Sequence, residues 1–154
     1  MALCSLCVDA DYRDAASCPY AVLVDNTSSV YFIQALRGLI LVRLISFDID
    51  GTLEVGDPPG CITMDMVRQA KDLGYIIGSC SDRTVTNQKN IWKTHDIEVS
   101  FTVLKHQLDL VKEEFDASEY YHIGDTNIDQ QYAERAGFSY FLPDQSLQNF
   151  WPSS

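Results

Sequence analysis

Two carboxylates a single residue apart, Asp48 and Asp50, lie in the string Phe47-Asp-Ile-Asp-Gly-Thr-Leu53, directly after the apolar run from Leu39 to Ser46. The run reads as a buried strand, so both acids stand at its end, and Gly51 lets the chain turn sharply away. Burying two aspartates this close costs several kcal/mol unless a cation or hydrogen bonds compensate. Acids so placed are expected to do chemistry rather than to cap a turn. Three further groups of reactive or ligating residues follow. Ser79-Cys-Ser81-Asp-Arg83 closes a second apolar segment, Lys105 precedes an amphipathic one, and Gly124-Asp125-Thr126-Asn127-Ile128-Asp129 follows a third.

The elements that must position these groups alternate between the two periods of regular structure. Strands are expected at Arg43–Ile49, Tyr75–Gly78, Val99–Leu104, Tyr120–Ile123 and Phe138–Leu142. Helices are expected between them. Thr63 would N-cap a helix with Met66, Val67, Ala70 and Leu73 on one face, ended by Gly74. Val85–Thr94 reads as a second helix, His106–Phe115 as a third with Leu108, Val111 and Phe115 inward, and Ile128–Ala136 as a fourth, with Gly137 at its end. Such alternation implies right-handed crossovers and a five-stranded parallel sheet covered by helices on both faces. Ligands of open parallel sheets bind outside the carboxyl ends of the strands, where the winding reverses. If the first and fourth strands are neighbours there, Asp48, Asp50 and Asp125 form an oxygen-rich cluster suited to Mg²⁺.

Taken in order, FDIDGTL, Ser81, Lys105 and GDTNID resemble the motifs of the haloacid dehalogenase superfamily of phosphohydrolases, over residues 43–142. The resemblance implies a Rossmann-like, doubly wound fold and hydrolysis of a phosphomonoester through an aspartyl-phosphate. Carried over by position, Asp48 matches the nucleophile. Asp50 matches the general acid and base, with its backbone carbonyl on the metal. Ser81 matches the hydroxyl that binds the phosphoryl group, and Lys105 the cation that offsets its charge. Asp125 matches the side-chain ligand completing a Mg²⁺ site. Asp129 lies nearby, as a ligand through water, as an orienting acid, or simply as a carboxylate at a helix N-terminus. Ser79 is the register alternative to Ser81, and Lys112 the rival of Lys105.

Within that superfamily, dehalogenases lack the second aspartate and transport ATPases carry threonine there, so Asp50 favours phosphatase chemistry. The intervals from Leu53 to Ser81 and from Ser81 to Lys105 each hold one helix and one strand, with no room for an extra domain. The chain therefore resembles a capless member. Residues 54–60, with two prolines and two glycines, make a restrained loop, read equally as a flap beside the site or as a simple connector. Arg83 is read equally as a substrate contact or a surface ion pair. His95, His106 and His122 lack ligand spacing and are read as structural or exposed. A phospho-accepting receiver-like module and a non-catalytic binding protein are the rival readings. Against the first, a receiver's acceptor aspartate lies on its third strand; against the second, the motif set is intact.

The formal net charge of −11 argues against a generic nucleic-acid or anionic-membrane binder, leaving a phosphorylated small molecule or phosphoprotein as partner. Arg37 and Arg43 interrupt the best candidate for a membrane span, and the N-terminus lacks the pattern of a secretory signal. With 5 cysteines scattered along the chain, free thiols in a reducing cytoplasm are expected over a zinc site at Cys4, Cys7 and Cys18. Residues 41–154 would form the hydrolase domain, against which Phe150 and Trp151 pack. Residues 1–40 would form an appendage, with apolar segments Tyr20–Asp25 and Val30–Leu36 around a turn. That appendage is expected to pack on the sheet edge or to pair with a second copy in a homo-oligomer.

Overall fold

Five short apolar segments form the sheet in the computed structural model, which describes residues 41–144. They are β1 (Arg43–Phe47), β2 (Ile76–Ser81), β3 (Phe101–Leu104), β4 (Glu119–Ile123) and β5 (Ser139–Phe141). All neighbours pair in parallel, in the order β3-β2-β1-β4-β5. The expectations for residues 1–40, for the cysteines among them, and for Phe150 and Trp151 lie outside the described residues.

The connecting helices are α1 (Met64–Asp72), α2 (Val85–Thr94), α3 (Leu108–Glu114) and α4 (Asn127–Ala136). Side chains alternate along β1, as a pleated strand requires, and divide the interior into two cores. Ile45 and Phe47 pack with Val67 and Ala70 of α1 and Trp92 of α2. Leu44 belongs with Leu108 and Val111 of α3 and Ala133 of α4. Helices thus cover both faces, and the fold is the Rossmann-like, doubly wound α/β arrangement. The chain steps outward from β1 through β2 to β3, then returns to lay β4 on the other side of β1. The winding reverses between β1 and β4, and that places the switch point beside Asp48 and Gly124.

Local chemistry sets the helix starts. Threonine hydroxyls accept from backbone N–H groups two or three positions into the helix: Thr63 from Met66 at 3.2 Å, Thr84 from Asn87 at 3.3 Å and Thr126 from Asp129 at 3.3 Å. Gly137 ends α4 in the left-handed conformation, at φ 74°. Several boundaries differ from expectation. β2 runs on to Ser81, β3 begins at Phe101, and α3 begins at Leu108 behind a 3₁₀ turn over Lys105–Gln107. Leu73 is exposed; the buried face of α1 is Met64, Val67 and Ala70. No helix among the described residues is long and apolar enough to cross a membrane.

Candidate active site

The carboxyl ends of β1, β2, β3 and β4 deliver the polar residues to one place. Asp48 follows β1 directly, and its N–H still donates to the Ile123 carbonyl of β4 at 2.8 Å. The aspartate is therefore anchored to the neighbouring strand across the switch point, and it is almost fully buried. Ser81 ends β2, Lys105 follows β3, and Asp125 and Asp129 follow β4. Both Ser81 and Lys105 are buried, whereas Asp125 is exposed.

Lys105 is the electrostatic hub. Its Nζ lies 2.9 Å from Asp129 Oδ1, 3.1 Å from Asp82 Oδ2 and 3.6 Å from Asp48 Oδ2. Burial on its own would lower the lysine's pKa. The bond to Asp129 and the charge of Asp48 override it and raise the pKa above the ordinary lysine value. The two buried acids diverge. Burial, reinforced by the charge of Asp129, raises Asp48 to about 6, against the opposing pull of Lys105, the Ile49 N–H and the Ser81 hydroxyl. Burial would also raise Asp129. Hydrogen bonds from His122, Thr126 and Lys105 outweigh it and hold that carboxyl well below the usual range.

Asp129 is completely satisfied. Oδ1 meets Lys105 Nζ and, at 3.4 Å, His122 Nε2; Oδ2 accepts from the Thr126 N–H at 3.1 Å and from the Thr126 hydroxyl. Those four donors occupy the capacity of one carboxylate. Among the three readings open for Asp129, the hydrogen bonding favours the orienting acid. Asp48 is the reverse case, since its Oδ1 is buried with no hydrogen-bond partner. The Thr52 hydroxyl shares that condition.

Asp50 meets a partner that spacing alone did not reveal. Arg83 grips its carboxylate through Nε, at 3.0 and 2.8 Å, and through Nη2, at 2.6 Å. The Asp57 N–H adds a fourth contact at 2.7 Å. The Arg83 hydrogen bonds hold Asp50 below the ordinary carboxylate value. Asp57 belongs to the flap, which lies down on the loop after β1: Gly51 N–H donates to Pro58 O at 2.6 Å, and Gly60 N–H to Leu53 O at 2.8 Å. The flap thus orients Asp50 from the side.

The register alternatives separate cleanly. Ser79 donates to Gln88 Oε1 at 2.7 Å and accepts from Trp92 Nε1 at 2.9 Å, so it is committed to the core beneath α2. Ser81 is the one beside Asp48. Lys112 reaches the Gly137 carbonyl at 3.1 Å and lies over the Tyr120 ring, on an exposed face away from the acids. Sequence reasoning missed three contributors. Asp82, although exposed, pairs with Lys105. His122 supports Asp129, and the Tyr140 hydroxyl ties down the loop after β4 by donating to Gly124 O at 2.8 Å. Alternation along β4 could have suggested that His122 points into the same layer as the acids; nothing local marks Tyr140.

One oxygen from each of Asp48, Asp125 and Asp129 lies within 4.8 Å of the others. Gly51, at φ 72°, lets Asp125 approach the loop after β1, since a Cβ there would collide with the Asp125 carboxylate. An unpartnered buried oxygen, an oxygen-only donor set and a cradle kept clear by glycine together fit a hard divalent cation. Asp48 and Asp125 have oxygens to give it, with Asp129 behind them. Comparison with protein-family models, with curated proteins and with solved structures returns no match.

Proposed function

We propose that the protein is a Mg²⁺-dependent phosphatase of phosphomonoesters, with Asp48 as the nucleophile, as its resemblance to the haloacid dehalogenase superfamily implies. The observation that carries the reading is the buried, unpartnered Oδ1 of Asp48, in a carboxylate that clusters with those of Asp125 and Asp129 and has Lys105 beside its other oxygen. A fold does not leave a buried carboxylate oxygen bare without cost. A ligand that completes it explains the arrangement.

In this reading Asp48 attacks phosphorus as the ester P–O bond breaks, and the leaving oxygen takes a proton from Asp50. Water then attacks the phosphorus of the aspartyl phosphate, giving its proton to Asp50, and phosphate departs. Ser81 donates to the transferring group, and Lys105 offsets the negative charge gathered on it. Asp129 keeps Lys105 in place. A bound Mg²⁺, held by Asp48, Asp125 and the Asp50 carbonyl, would supply further positive charge at the phosphoryl oxygens. Arg83 must release Asp50 for the proton transfers, because all its contacts favour the carboxylate.

That last feature favours one other reading: a module that accepts a phosphoryl group on Asp48 without sustained turnover, with Asp50 kept from activating water. Incubating the purified protein with Mg²⁺ and a panel of phosphomonoesters, and following both free phosphate and protein mass, separates the two. Continued phosphate release, lost in Asp48→Asn, supports the phosphatase. A persisting phosphoryl adduct with little release supports the module. Neither phosphate release nor an adduct from any ester would refute both.

A further inference from the structure

We propose that His122, seated by Ser46, is a positioning residue that keeps Asp129 in register with Lys105; the inference rests on the catalytic role proposed for Lys105. Ser46 and His122 face each other across the β1–β4 pair and are completely buried. His122 Nδ1 lies 3.1 Å from Ser46 Oγ, and Nε2 lies 3.4 Å from Asp129 Oδ1. A ring nitrogen facing a carboxylate donates, so Nε2 carries the hydrogen and Nδ1 accepts from the Ser46 hydroxyl. Both nitrogens are then satisfied, and the ring has one orientation.

Asp129 has little freedom on its other sides. A Cβ on Gly124 would strike its Cβ and Cγ, so the backbone of the β4–α4 loop presses directly against it. Thr126 holds Oδ2. His122 therefore decides where Oδ1 lies, and Oδ1 is the closest anchor of Lys105 Nζ. The chain of contacts runs from the middle of the sheet to the ammonium group. An apolar residue at position 122 would fill the same space in the core but leave Oδ1 without its second donor.

The test compares His122→Gln, whose amide reaches the Nε2 position, with His122→Asn, whose shorter amide reaches only toward Ser46. The first readout requires no activity. Metal-free protein is treated with limiting acetic anhydride, and acylation of Lys105 is measured by peptide mass spectrometry against the exposed Lys89 and Lys93. Wild type and His122→Gln should protect Lys105, whereas His122→Asn should raise its relative acylation by about tenfold or more, the size of effect that orienting partners commonly have. The second readout is kinetic: with Mg²⁺ and an aryl phosphate, His122→Asn should lower kcat about 10–100-fold with KM changed far less, and His122→Gln should rescue it. Ser46→Ala, which removes only the partner of Nδ1, should raise Lys105 acylation in the same direction and serves where His122→Asn does not fold. Equal Lys105 protection in wild type, His122→Asn and Ser46→Ala would overturn the proposal, as would Gln and Asn variants that behave alike. A wild-type protein that hydrolyses no ester would instead overturn the phosphatase reading, and the acylation result would still judge the role of His122.

Discussion

The β1 end and the β4 end of the site each bury an aspartate beside Lys105, and the two acids are met in opposite ways. Asp129 receives four donors on its two oxygens, and its pKa falls. Asp48 keeps one oxygen bare, and its pKa rises to about 6. Both lie in the same low-dielectric layer, so burial alone cannot separate them; the difference is the number of fixed donors. The β4 end is finished by the fold, through a helix cap, a strand histidine and a lysine. The β1 end keeps a buried carboxylate oxygen to which no group of the fold donates.

The contrast breaks most visibly in paired substitutions. Asp48→Asn should abolish phosphomonoester hydrolysis, by at least about 10⁴-fold, because an amide keeps the shape and cannot form the acyl phosphate. The same change should not destabilise the metal-free protein at pH 7, since it removes an under-compensated charge. Asp129→Asn should cost roughly 3–5 kcal/mol in denaturant unfolding, because it leaves Lys105 and its other partners with a buried imbalance. Two variants that lose stability equally would show that the acids are not opposites.

A pH series sharpens the same point. Asp48 binds its proton more tightly folded than unfolded, so between an ordinary carboxylate pKa of 3.8 and about 6 the native state holds the extra proton. Its contribution is therefore most favourable below that window, and it is lost as pH rises through it, by roughly 3 kcal/mol in total. The depressed Asp129 acts with the other sign: its contribution is present above the ordinary carboxylate range and disappears only in strong acid. Unfolding free energies of wild type and Asp48→Asn in EDTA should diverge between pH 4 and pH 7, the variant gaining. Parallel curves would contradict the environment described for Asp48.

Adding the missing charge should repair the β1 end. Mg²⁺ at 100 times its dissociation constant should stabilise the wild type by about 2.7 kcal/mol, read as a rise in Tm. Asp48→Asn and Asp125→Asn should lose that response, because each removes an oxygen from the cradle. An undiminished rise in both variants would place the cation elsewhere. The smallest effect is expected at Gly51→Ala, where the left-handed φ costs about 1 kcal/mol. Its larger signature should be a weakened Mg²⁺ response, since the new methyl displaces Asp125. Calorimetric titration with Mg²⁺ measures that directly.

Much of this was legible in the residues. The apolar runs and the amphipathic segments between them marked every described strand and α-helix, and Val85–Thr94 coincides with its expected span. Thr63 and Gly137 marked a helix start and a helix end because caps are local: the hydroxyl or the left-handed turn acts within three or four residues. The candidate residues Asp48, Ser81, Lys105 and Asp125 likewise fall at or just past strand ends, and Asp129 in the first turn of α4, where alternation placed them.

What local patterns do not carry is which side chain meets which. Ser79 and Ser81 have the same parity, and only the bonds to Gln88 and Trp92 of α2 assign Ser79 to the core. The Arg83 grip on Asp50 joins residues 33 apart, and the Ser46–His122 bond joins residues 76 apart. The sequence by itself determined the alternation of elements and the oxygen-rich character of one end of the sheet, because side-chain period and turn chemistry are properties of a few consecutive residues. The tertiary structure decided that Asp129 is satisfied and Asp48 is not, because a buried charge takes its energy from neighbours that the strand order β3-β2-β1-β4-β5 brings together.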